Sequence, residues 1–174
     1  MWPAHGASKT PMYAGFAIGQ GWDAGVLLDS DAAGHAAKVK IDDLYVSKLA
    51  AEKAKRFRTF MLGKAAGSKK TDFAIEDLFP DKFYLDCVNT ALGLAIKLDD
   101  LPVDGSDMIT KRVEHVLKAR YGMSGLDKRR VLSEMWNRFD KWNTASDLPP
   151  GTPASAEKLF KAINSAFADE AQSE

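Results

Sequence analysis

Cysteine is almost absent. Cys87 is the only one in 174 residues, which excludes an internal disulfide, a cysteine-rich zinc site and a paired-thiol redox centre. Histidine is nearly as scarce, and His5, His35 and His115 stand far apart, which argues against a histidine-based metal site. Carboxylates remain as metal ligands, and their hard oxygens favour Mg, Mn or Ca. Net charge is missing too. Twenty-four Lys plus Arg balance 24 Asp plus Glu, so no global field draws the chain to nucleic acid or to an anionic membrane. Any nucleic-acid site must be local. No apolar run approaches the roughly 20 residues of a membrane span, and Met1-Trp2-Pro3 lacks the basic start and apolar stretch of a secretory signal. The expectation is a soluble, cytoplasmic protein with no membrane partner.

What is present, 45% hydrophobic and 28% charged residues, suffices for one ordinary globular domain or two small ones. The pattern changes near Pro80. Before it, residues 7–19 carry Met12, Tyr13, Phe16 and Ala17 at helical spacing and stop at Gly19 and Gly21. Ala24-Gly25-Val26-Leu27-Leu28 reads as a fully buried strand of a parallel sheet, ending in Asp29-Ser30-Asp31. A helical stretch over residues 32–55 leads to a second strand over 56–62, then to a basic Gly/Ser loop over 63–71. After Pro80 four apolar faces follow at helical spacing, beginning with Phe83, Tyr84, Cys87 and Val88; the third includes Trp136 and Phe139, both read as core. The expected fold class is α/β, with a Rossmann-like parallel sheet over residues 1–80, followed by an all-α helical region over 81–174.

The informative segment is Val26-Leu27-Leu28-Asp29-Ser30-Asp31-Ala32-Ala33-Gly34. Ligands of open parallel sheets collect at the carboxyl ends of the strands, and two carboxylates stand there one residue apart. Residues i and i+2 of an extended backbone point the same way, so both can reach one hard cation. Gly34 allows a tight turn into the next helix and leaves room for a substrate phosphate. A structural alternative stands beside this one: Asp31 caps the following helix.

Together with Gly6-Ala7-Ser8-Lys9 and Ile75-Glu76-Asp77-Leu78-Phe79-Pro80-Asp81-Lys82-Phe83-Tyr84-Leu85, this segment resembles the Toprim nuclease domain of OLD-family ATP-dependent endonucleases over residues 4–97. The resemblance implies an incomplete Toprim-like domain that cleaves DNA with Mg2+ or Mn2+. It implies Asp29, Asp31, Glu76 and Asp77 as metal ligands, and a basic residue in the C-terminal helices that assists catalysis. Lys128, at the start of an amphipathic helix, is the candidate for that residue. Asp29, Asp31 and Glu76 are accordingly expected to converge on one surface.

The chain departs from that family in two places. Nothing fits the phosphate-binding loop of an ATPase, since Ala7-Ser8-Lys9-Thr10 has Ser where Gly is needed, so no ATP site is expected. The strand and catalytic Glu that open a Toprim domain are also missing; no Glu precedes Glu52. The chain therefore resembles the end of such a protein, weak or inactive alone, with DNA, the ATPase part of the same system or a second copy as partners. The alternative function is a non-catalytic DNA- or protein-interaction module with vestigial carboxylates. Basic residues of the 63–71 loop, Lys64, Lys69 and Lys70, are placed to meet a substrate phosphate. A sheet lacking its first strand is expected to leave an open side, covered by a partner or by the helical half.

Overall fold

The computed structural model describes residues 6–168, apart from the Glu52 side chain. The chain forms two compact units. The first runs to Phe73 and takes in the chain again from Glu157; the second is Ala74–Ala156. The observed division thus falls at Phe73/Ala74, whereas the composition changes near Pro80. The reason is local: the turn Ile75–Leu78 carries Asp77, which hydrogen-bonds to the backbone of Ile109 in the second unit.

The first unit is a β-α-β arrangement. Strands β1 (Ala24–Leu28) and β2 (Phe57–Met61) pair in parallel, in register from Ala24↔Phe57 to Leu28↔Met61. Helix α1 (Thr10–Gly19) precedes them, opened by Pro11, whose missing N–H is no loss in a first turn. Between the strands lie α2 (Ala32–Leu44), a 3-10 turn at Val46–Lys48 and the short α3 (Ala51–Lys55), and a four-residue α4 (Leu62–Ala65) follows β2 where a loop was expected. The single helix expected over 32–55 is therefore broken. At 1.5 Å rise per residue, the 13 residues of α2 span roughly 20 Å, about the length of a five-residue strand, so the chain must turn there to start β2. Leu49, extended, breaks the helical path, while Tyr45 and Val46 pack on the core formed by Ala14, Ile41 and Phe57.

The expectation of a fully buried strand fails for β1. Only Leu28 is buried, and Gly25 is exposed, because the described sheet has two strands and each has a single neighbour. Part of the sheet is covered by α8 (Thr152–Ala168), whose Phe167 ring approaches Phe60 at 6.3 Å and Gly25 closely. From Glu157 onward this helix groups with the first unit, so of the four helices expected after Pro80 three lie wholly in the second.

Those three are α5 (Asp81–Leu92), α6 (Ile109–Tyr121) and α7 (Lys128–Phe139). Tyr84, Cys87 and Val88 of α5, Val113 and Leu117 of α6, and Val131 and Met135 of α7 build one core. Rows at i and i+4 explain the choice: Val131, Met135 and Phe139 form the inward row of α7. Trp136, read from its sequence neighbourhood as core, lies one row over and is 68% exposed beside exposed Leu132. Phe139 instead joins Phe79, Phe83 and Trp142 in an aromatic cluster, with ring centroids 4.6 to 6.4 Å apart. Among the described residues no helix is long and apolar enough to cross a membrane.

Candidate functional site

The carboxyl ends of β1 and β2 share one edge of the sheet, as parallel pairing requires. Asp29 stands there, exposed and engaged in an interaction of its own, followed by buried Ser30 and half-buried Asp31. Ser30 is the anchor. Its backbone N–H donates to the Phe73 carbonyl at 2.7 Å, its carbonyl accepts the Phe73 N–H at 2.9 Å, and its hydroxyl accepts the Gly63 N–H at 2.9 Å. Three hydrogen bonds therefore fix the residue between the two aspartates to both following segments. Nothing in the sequence pattern singled out Ser30; a polar residue between two aspartates reads as solvent-facing.

Asp31 takes the structural role that its spacing allowed. Its backbone is extended, and its Oδ1 accepts the Gly34 N–H at 2.7 Å, which caps α2. Gly34 serves this turn directly. A Cβ at that position would lie 1.9 Å from the Asp29 carbonyl oxygen, so only glycine lets α2 start against the end of β1. The space expected there for a phosphate is taken by that carbonyl. His35 is exposed one residue further on.

The other candidates, Glu76, Asp77 and Lys128, belong to the second unit. Asp77 is buried, and both of its oxygens accept backbone donors: Oδ2 from the Ala74 N–H at 2.9 Å, Oδ1 from the Ile109 N–H at 3.0 Å. Ile109 is the first residue of α6, where free N–H groups need an acceptor, and Met108 before it makes no side-chain cap. Asp77 thus fits a capping role better than a ligand role. Glu76, expected as a metal ligand, and Lys128, expected to assist catalysis, are paired with one another, Oε1 to Nζ at 3.3 Å. The residue at the start of α7 therefore faces a carboxylate of its own unit.

Among the described residues no group of three or more His, Cys, Asp or Glu is arranged to hold a metal ion. Asp29 and Asp31 offer hard oxygen donors, but a two-metal centre needs a larger cluster than one such pair. The described residues therefore do not fit a resident metal centre by themselves.

No protein-family model, curated protein or solved structure matches the chain.

Proposed function

We propose that this chain carries the Asp-x-Asp part of a Toprim-type, OLD-family-like site for metal-dependent phosphodiester hydrolysis in DNA. One observation carries the reading: Asp29 and Asp31 stand at the carboxyl end of β1 in a parallel β-α-β unit, where ligands of such sheets collect. Mg2+ or Mn2+ is the proposed metal, with further carboxylates from the ATPase-bearing part of the same system or from a second copy. On this reading the 174 residues bind metal weakly and do not cleave DNA unaided. No ATP is needed at this site.

Calorimetric titration with MnCl2 tests it, alongside nicking of supercoiled plasmid. Asp29→Ala should abolish the heat of binding. Asp31→Asn should weaken it while sparing the α2 cap, because Asn caps helices as well as Asp does. Unchanged binding in both variants, or nicking that persists in EDTA, overturns the proposal.

A second reading, a non-catalytic interaction module with vestigial carboxylates, is favoured by the engagements of Asp31, Asp77 and Glu76 described above. It expects DNA or protein binding with no heat on metal addition.

A further inference from the structure

The sheet edge that holds Asp29 and Asp31 also gathers lysines. Helix α4 (Leu62–Ala65) starts immediately after β2 and carries Lys64. The loop beyond it folds back: the Gly67 N–H donates to the Lys64 carbonyl at 3.1 Å and the Ser68 N–H to the Gly63 carbonyl at 2.8 Å. Lys69 follows Ser68 directly, just beyond the turn. Gly67 has φ +68°, and the stem of Lys158, from α8, lies across it. A Cβ there would come within 3.1 Å of Lys158 Cδ and 3.6 Å of its Nζ. A cation from a helix distant in sequence is thus laid on the turn.

All three lysines are exposed, and none is ion-paired with a carboxylate among the described residues. Glu157, next to Lys158, is engaged with Lys161 at 2.8 Å. We propose that Lys64, Lys69 and Lys158 form a contact surface for the phosphate backbone of a nucleic acid, beside the Asp29-Ser30-Asp31 edge. Flexible ammonium groups suit the point charges of successive phosphates and carry no sequence preference. An anionic membrane fits less well, because residues 63–71 hold no large apolar side chain to enter a bilayer interface. The inference rests on the reading of this edge as one that faces phosphodiesters.

The test uses the whole chain and a fluorescein-labelled duplex of about 20 base pairs in EDTA, with anisotropy followed from about 50 to 200 mM NaCl. Changing Lys64, Lys69 and Lys158 together to Gln should lower the slope of log K against log salt by about 2 to 3, near 0.9 per phosphate contact. Affinity at low salt should fall by about 10- to 100-fold. A second triple variant, Lys40→Gln, Lys48→Gln and Lys53→Gln, removes equal charge from the α2 and α3 region and should stay within about twofold of wild type. Circular dichroism checks that both variants fold. Absence of duplex binding by the wild type, equal losses in the two triples, or tighter binding to phosphatidylserine vesicles than to the duplex overturns the proposal. EDTA separates the two readings: duplex binding here is measured without metal, so a calorimetric titration that shows no MnCl2 binding leaves this result standing.

Discussion

The Ser30 hydroxyl accepts the Gly63 N–H at 2.9 Å and so joins the end of β1 to the first turn of α4, 33 residues later. Both groups are buried, and the same serine pairs through its backbone with Phe73. The segment bearing Asp29 and Asp31 therefore takes its position from the residue between them.

Replacing Ser30 by Ala leaves the Gly63 N–H buried without this acceptor. An unsatisfied buried donor costs about 1 to 3 kcal/mol, so Ser30→Ala should lower the urea midpoint of unfolding accordingly. A midpoint equal to that of the wild type would show that the hydrogen bond contributes nothing net.

Gly34→Ala should be more damaging than an ordinary helix substitution. Alanine normally favours a helix by up to about 1 kcal/mol over glycine, but a Cβ 1.9 Å from the Asp29 carbonyl forces the start of α2 away from β1. The expected outcome is a loss of about 2 kcal/mol or more, in line with overpacking elsewhere. A stabilised variant in thermal melts would contradict the close approach.

Asp77→Ala removes an acceptor from both the Ala74 and Ile109 N–H groups. The second unit should lose about 2 to 4 kcal/mol, since two buried donors are orphaned at once. Hydrogen exchange should show faster opening at Ile109 and along the first turn of α6, and Mn2+ affinity should not change. A loss of metal binding with unchanged α6 exchange would restore Asp77 as a ligand.

Alkaline pH should destabilise the second unit. Burial pushes the Cys87 thiol up to about 11, with Glu134 and Asp86 adding to it against an opposing Arg138. Burial, with Glu76 next in effect, also raises the Tyr84 hydroxyl. Both folded values lie above the ordinary ones, so the unfolded chain releases these protons first. The Cys87 contribution is full below its ordinary value of 9.0 and is lost as pH rises through about 11. Stability measured by urea should fall across that window, and Cys87→Ser should flatten the fall. At pH 8 a thiol reagent should modify Cys87 far more slowly in the folded chain than in urea, because the buried thiol is reached only when the unit opens.

Periodicity and punctuation in the sequence were enough to place both strands and the helices after Pro80, but not the break between α2 and α3 or the short helix Leu62–Ala65. Strands at Ala24–Leu28 and Phe57–Met61 and the helices after Pro80 follow from apolar spacing, because side-chain period is a property of neighbours along the chain. The Asp-x-Asp at the end of β1 was legible for the same reason, as was the capping alternative for Asp31. Only tertiary structure decided which faces were buried and which polar groups were engaged. Trp136 and Phe139 lie on one apolar stretch, yet the packing of α5 against α7 includes only Phe139. Asp77 meets Ile109 across 32 residues, Ser30 meets Gly63 across 33, and Lys158 reaches Gly67 from the far end of the chain. A hydrogen-bond acceptor or a lysine stem is chosen by proximity in space, and no residue's own neighbours in sequence encode what the fold brings beside it.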